Sequence, residues 1–505
     1  MRNSTSTEVV AATTKAATAA IVTAATTEAE RAGWLRALAD VLDANAAELI
    51  EIADRESHLG VPRLTGEVAR TSGQLRLFAD VILEGSYLEV IIDHAEPDAA
   101  PPRPDLRRML RAIGPVAVFA ASNFPFAFSV LGGDTASALA TGSPVIVKAH
   151  PGHEELSART AELAIGALRQ AGAPDGTFGI VYGMDAGSQL VTDPRIAAAS
   201  FTGSLRGGRA LYDLAAARPA PIPFYGELGS LNPVVITAAA VETRGAELAA
   251  GLIGSFTLGV GQFCTKPGVV FVPEGVGAEG AGFEQLVIDA LPAPASAPML
   301  DERIASAFAA GMQVIETHAS VRVLSAPGSV ASGSGSAGPL VGSPRDRLPL
   351  VGSPLVGSTT VADLLANADT LLEERFGPFT LLVSYRDASE VIEAIAAIGG
   401  SLTGTVHAEA TDDIAAITDA LARTCGRVLF AGWPTGVSVA WSQNHGGPWP
   451  STTASIHTSV GATAVRRFLR PFAFQSAPAN LLPAALRDGN PLGIPRRVDG
   501  VPGRA

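Results

Sequence analysis

Residues 143–183 read SPVIVKAHPGHEELSARTAELAIGALRQAGAPDGTFGIVYG. The stretch opens on a short, β-branched apolar run, SPVIVKA. It continues through HEELSARTAELAIGALRQAG, whose apolar residues recur at helical spacing, and closes on a second run, TFGIVYG. A strand, a helix and a strand in that order form the unit of a parallel sheet covered on both faces. The rhythm extends outward. VAVFAAS (116–122), IAAASFTG (196–203) and PIPFYGEL (221–228) are further short strands, and LRGGRALYDLAAAR (205–218) is a helix between two of them. The expected fold is α/β, with a doubly wound sheet of the nucleotide-binding type.

A second alternating series follows. It comprises PVVIT (233–237), a helix running to Cys264, GVVFV (268–272), LLVSY (381–385), GTVHA (404–408) and RVLFAG (427–432), and it predicts a second α/β domain. Residues 28–56 carry helical spacing. The residues before them are expected to be a frayed start, because no clean cleavage site follows the weak run AATAAIVTAA. The proline-rich segment 94–111 is expected to be an extended arm. SAPGSVASGSGSAG (325–338) has linker composition, and PLVGS occurs three times, at 339–343, 349–353 and 354–358. Together these predict a peripheral surface insertion at about 325–358.

Bulk composition excludes several function classes. The chain has 505 residues, too many for one core. Its net charge is −13 with no basic tract, which argues against nucleic acid as a partner. No run of eighteen apolar residues is present to span a membrane. Two cysteines make no disulfide framework, and metal-site spacings are absent, so no metal is expected. A reducing, cytoplasmic setting follows.

Six residues have the chemistry of a site. Cys264 lies in GQFCTKPG, among small and polar neighbours that pack poorly around a core cysteine. Glycine there allows close approach, and backbone amides can stabilise a thiolate. The alternative is a structural thiol, which is how Cys425, in ALARTCGRVLF, reads. Glu227 ends an apolar strand beside Leu228, where burial favours a raised pKa suited to a general base; a structural ion pair is the alternative. Asn123, in AASNFPFAF, can donate to an oxyanion or cap a strand end. Lys148 ends VIVKA, where a doubly wound sheet gathers ligands. In FTGSLRGG, Gly203 lets backbone approach a phosphate and Ser204 can donate to it at a helix start. Of two G-x-G-x-x-G matches, Gly333–Gly335–Gly338 lies in the Ser/Gly linker without a strand before it or a helix after it; Gly275–Gly277–Gly280 sits between a strand and a helix, but LPAPASAPML before Asp301 does not read as a second strand, so a solvent-exposed loop is expected there.

Six motifs in register resemble the aldehyde dehydrogenase superfamily, from about residue 25 to 485. The resemblance makes Asn123 the oxyanion asparagine, Lys148 the contact to the adenosine ribose, and FTGS the pyrophosphate turn. It makes Glu227 of GELGSLNP the base and Cys264 of GQFCT the nucleophile. In EERFGPF (373–379) it assigns Glu374 to the nicotinamide ribose and Phe376 to the ring beside it. Further stretches look like the 2-oxoglutarate semialdehyde (2,5-dioxopentanoate) dehydrogenase branch: GEVARTSGQLRLFADVI, VKAHPGH, PTGVSV and HGGPWPST. Ser122 and Ser230 depart from the general family pattern and fit that branch.

The resemblance implies oxidation of an aldehyde to an acid with NADP, NAD being possible. Pro151 stands where many NAD-linked members carry glutamate, which removes repulsion against a 2′-phosphate. It also implies a cofactor domain at 1–93 and 113–228, a catalytic domain at 229–445, and an oligomerisation arm at 94–112 and 465–485 that makes a homodimer or homotetramer. Two alternatives are a dehydrogenase of fatty or generic aldehydes, with Phe124, Phe126 and Phe128 lining an apolar tunnel, and a catalytically silent relative.

Overall fold

The computed structural model describes residues 2–276, 282–291, 297–324, 351–434 and 436–503. The strands of the opening stretch, Val145–Lys148 and Phe178–Val181, lie side by side in a five-stranded parallel sheet. Val116–Phe119 is at its centre, with Ala198–Thr202 and Phe224–Glu227 beyond. Alternate residues of each strand enter different cores, as a period of two requires. Val116, Val118, Val145 and Val147 pack with the helices Glu28–Ala44, Ala46–Ser57 and Val61–Glu84. Ala117, Phe119 and Ile146 face the opposite side.

That second face is covered partly by the helix Ser6–Thr23, which corrects the expected frayed start. Thr5 and Glu8 form a reciprocal capping box at its first turn, and Val9 and Ala16 are buried against the sheet. The alanine-rich sequence forms a thin helix that packs closely.

The chain moves outward from Val116–Phe119 to Phe178–Val181, then returns to the other side of the centre at Ala198–Thr202. This reversal is the switch point where open α/β sheets bind ligands. Asn123, Gly203 and Ser204 all follow strands that end there, and Glu227 ends the next strand over.

The second domain holds a seven-stranded sheet. Its order is Arg322–Leu324, Leu355–Thr360, Phe379–Tyr385, Val269–Pro273, Val234–Ile236, Gly404–His407 and Val428–Phe430, all parallel except the first. Leu355–Thr360 corrects the expected peripheral insertion, because the third PLVGS copy is a buried strand. Val356 is fully buried, and Gly357 sits where a Cβ would press on Leu381 at 3.0 Å. Glycine and serine disguised it as loop. Residues 325–350 lie outside the described residues, as do Gly277, Gly280 and the Gly333–Gly335–Gly338 match.

The arm is a third sheet: Leu469–Gln475, Leu106–Ala112, Val90–Asp93, Arg496–Val498 and Val501–Gly503. It starts earlier than position 94 and includes the last strands of the chain. Among the described residues, no helix is long and apolar enough to cross a membrane.

Candidate active site

Cys264 is presented by a strained turn. The helix Ala238–Thr257 stops short of it, and Gly259, Val260 and Gly261 follow with φ of 57°, 58° and 66°. A positive φ at the β-branched Val260 is an outlier of the kind that clusters at functional sites. Gly261 is required by proximity, since a Cβ there would lie 2.3 Å from the Gly377 backbone. The nucleophile-motif loop therefore packs directly on the FGP of EERFGPF. Asn232 fixes the other side, its Nδ2 donating to the carbonyls of Cys264 (2.8 Å) and Lys266 (2.9 Å). Ser230 donates to Asn232 Oδ1 at 2.7 Å and accepts from the Leu402 N–H at 2.9 Å. The serine that departs from the family pattern thus braces this anchor. Cys264 is partly exposed, whereas Cys425, just past the helix Ala415–Thr424, is buried in the core.

His445 is the residue sequence reasoning missed. It lies in HGGPWPST, on a loop that runs back against the strand Phe224–Glu227, where Thr452 bridges to Glu227 and Thr453 accepts from the Gly226 N–H. Its Nε2 is 3.5 Å from Cys264 Sγ and 3.0 Å from Glu227 Oε1. Burial opposes a charge on the ring, but the Glu227 and Cys264 anions outweigh it and push its pKa up to about 10. Near neutral pH the site therefore holds an imidazolium between a sulfur and a carboxylate.

Glu227 departs from the expectation drawn from its apolar neighbours. Burial alone would raise its pKa, but the His445 charge, a hydrogen bond from Ser459 and the Arg467 charge hold it below the usual carboxylate range. Arg467 is itself buried and paired with Asp134 at 2.7 Å. Glu227 Oε1 faces the His445 Nε2 at 3.0 Å, and its Oε2 accepts from the Ser459 hydroxyl. A cavity of about 20 Å³ beside Glu227, Ser459 and Thr458 has room for one water.

Asn123 is buried on the loop after Val116–Phe119, and its Nδ2 donates to the Gln262 carbonyl at 3.0 Å, two residues from the thiol. Glu67 holds that loop by accepting from the N–H groups of Phe126 (2.8 Å) and Ala127 (2.9 Å). Phe124 packs edge-on against Phe128 and Phe263. Phe126 does not join them; it turns into the helical core.

Lys148, Gly203 and Ser204 lie at the carboxyl ends of strands in the five-stranded sheet. Lys148 is buried, and its ammonium contacts only the Met184 sulfur, at 3.8 Å, with no ion pair among the described residues. Burial and the nearby Arg303 charge lower its pKa. A buried cation without an anion fits a ligand bearing phosphate or hydroxyl groups. Ser204 caps the helix Leu205–Ala216 by accepting from the Gly207 N–H, and a Cβ on Gly203 would meet the Phe201 ring at 2.7 Å. Glu374 approaches Gly229 so closely that a Cβ there would be 2.6 Å from its Oε2. Its pKa is raised by burial and moderated by Lys266, whose Nζ donates to the Phe379 carbonyl at 2.7 Å. Phe376 is partly exposed beside it. Cys264, His445 and Glu227 thus lie together, with Asn123 joined to them through the Gln262 carbonyl.

The sequence matches the aldehyde dehydrogenase family over residues 1–470. The chain belongs to that family. As an aldehyde dehydrogenase it oxidises an aldehyde with a nicotinamide cofactor. It is 44% identical, over 94% of its length and 87% of the relative's, to alpha-ketoglutaric semialdehyde dehydrogenase 2 of Azospirillum brasilense. It is 39% identical, over 94% and 88% of the two chains, to alpha-ketoglutaric semialdehyde dehydrogenase of Acinetobacter baylyi. Its fold superposes on NADP-dependent glyceraldehyde-3-phosphate dehydrogenase of Bacillus halodurans with a TM-score of 0.76, at 20% identity over 94% and 93% of the chains.

Proposed function

We propose that the chain oxidises 2-oxoglutarate semialdehyde (2,5-dioxopentanoate) to 2-oxoglutarate, with NADP as the preferred cofactor. The observation that carries the chemistry is the trio Cys264, His445 and Glu227, with 3.5 Å and 3.0 Å between successive reactive atoms. The substrate assignment is supported by the 44% and 39% identity to the two semialdehyde dehydrogenases.

Cys264, as thiolate, attacks the aldehyde carbon. The oxyanion that develops is held by the Asn123 amide and the Cys264 backbone N–H. The hydride acceptor for the thiohemiacetal carbon would be supplied by a bound nicotinamide. Glu227 then takes a proton from water as that water attacks the thioester, and the acid leaves. His445 steadies both anions. Lys148, Gly203 and Ser204 would hold the adenosine and phosphate end of the cofactor, and Glu374 and Phe376 its nicotinamide end.

NADP preference is supported by Pro151, which contributes no carboxylate, and by Arg303, which adds a second positive charge close enough to depress Lys148. The sheet edge Leu469–Gln475 supports assembly into a homodimer or homotetramer, since an open edge strand is a ready pairing surface.

A panel of aldehydes assayed with NAD and NADP in parallel tests the assignment. The expected result is the highest kcat/KM for 2,5-dioxopentanoate with NADP. A kcat/KM for hexanal equal to or above it overturns the substrate assignment.

A further inference from the structure

The helix Val61–Glu84 presents Arg63 and Arg70, two turns apart and so on one face, toward the aromatic loop that follows Asn123. Arg63 has a structural task. Its Nη2 donates to the Asn123 carbonyl at 2.6 Å, and its guanidinium lies 5.1 Å and 4.6 Å from the Phe124 and Phe263 rings. Arg70 has none of comparable kind. It lies 5.6 Å from the Phe124 ring and 5.4 Å from the Phe128 ring. Its Nε and Nη2 are buried without a hydrogen-bond acceptor, and no acid lies within ion-pair range of it among the described residues. Glu67 is one turn away and its charge favours the Arg70 guanidinium, but one of its oxygens serves the Phe126 and Ala127 backbone and the other makes no hydrogen bond to Arg70.

Arg427, just before the strand Val428–Phe430, repeats the pattern from the other domain. Its Nε and Nη2 are also buried without acceptors. Both guanidinium groups lie within the electrostatic reach of the Cys264 thiolate, and Arg70 also within that of Glu227. A desolvated guanidinium is costly unless something pairs with it, and its planar fork matches a carboxylate. Arg70 lies over Phe128, whose ring is 6.3 Å from that of His445, and Arg427 adjoins Gly426, whose carbonyl accepts from Asn444, the residue before His445.

We infer that Arg70 and Arg427 form a receptor for the carboxylate at the far end of the substrate. In an extended five-carbon chain that carboxylate carbon lies about 5 Å from the aldehyde carbon, so a substrate bonded to Cys264 places it among these groups. Phe124 and Phe128 flank the chain between its two ends. The inference rests on the semialdehyde reading and names the residues that select it over a neutral aldehyde of equal length.

The test is a ratio. For wild type, R70M, R427M and R70K, kcat/KM is measured with 2,5-dioxopentanoate and with pentanal. Losing a charge-assisted hydrogen bond is expected to reduce the charged-to-neutral ratio roughly 10- to 100-fold in R70M and R427M, with partial recovery in R70K. An unchanged ratio in a folded variant overturns the inference. A binding readout separates it from the substrate reading: protection of Cys264 from iodoacetamide by glutarate and by pentanoate, which differ only in the far carboxylate. Glutarate should protect wild type at a lower concentration than pentanoate, and R70M should lose that advantage. Should wild type turn over pentanal as well as 2,5-dioxopentanoate while the glutarate advantage persists and depends on Arg70, the carboxylate receptor stands and only the named substrate falls. Equal protection by both acids in wild type sinks the receptor itself.

Discussion

Replacing His445 with glutamine keeps a polar side chain of similar reach and removes the charge. The ring's pKa rises from 6.5 to about 10 in spite of burial, which corresponds to roughly 5 kcal/mol of preference for the imidazolium. Coulomb's law gives a similar scale, about 4 kcal/mol for unit charges about 4 Å apart at an effective dielectric near 20. In H445Q the thiolate loses that neighbour, and Glu227 loses the largest influence that offsets its own burial. Iodoacetamide should therefore modify Cys264 at pH 7, without cofactor, at least tenfold more slowly than in wild type, because about 1.4 kcal/mol is one decade. A kcat/KM loss of about 100-fold should accompany it.

The ion pair also predicts a pH signature in stability. A raised histidine value contributes stability that is complete below pH 6.5 and is lost as pH rises through about 10. The lowered Glu227 value contributes above pH 4.5 and is lost as pH falls through its depressed value. Wild type should accordingly lose melting temperature between pH 7 and pH 10 by an amount that H445Q does not. An alkylation profile of H445Q that superimposes on that of wild type, with the same alkaline slope in melting, would refute the reasoning.

C264S should abolish dehydrogenase turnover and leave cofactor affinity nearly intact, read as quenching of protein fluorescence by NADPH; substantial remaining activity would remove Cys264 from the nucleophile role. N232A should cost about 2–4 kcal/mol in denaturant unfolding, because it leaves the carbonyls of Cys264 and Lys266 and the Thr403 N–H without their partner. A change below about 0.5 kcal/mol would mean that water replaces those bonds.

Much of the frame was legible because its signals are local. The stretch 143–183 declares its strands by β-branched runs and its helix by period, and the structure keeps each element within a few residues of the expected place. Leu355–Thr360 escaped for an equally physical reason. A strand buried on both faces against Leu381 tolerates glycine and serine where side chains would crowd, so its sequence imitates a linker. The arm sheet was visible only in part, since Arg496–Val498 joins Val90–Asp93 across nearly the whole chain.

Charge at the site was the least legible property. Flanking apolar residues gave Glu227 the wrong direction, because burial and charge pairing pull a carboxyl oppositely and only the fold reveals the partner. His445 lies 181 residues beyond Cys264 and reaches it because the following loop runs back along the strand that ends in Glu227. The pairing also links the two halves of the proposed reaction. Before attack, the ring faces two anions and holds its proton firmly. Once Cys264 carries an acyl group, the thiolate charge that helped raise the imidazole is gone, and the ring faces Glu227 alone. One of the two attractions that favoured the imidazolium has vanished, so its grip on the proton weakens when Glu227 has to accept one from water. The state of the sulfur thus sets how firmly the imidazolium holds its proton.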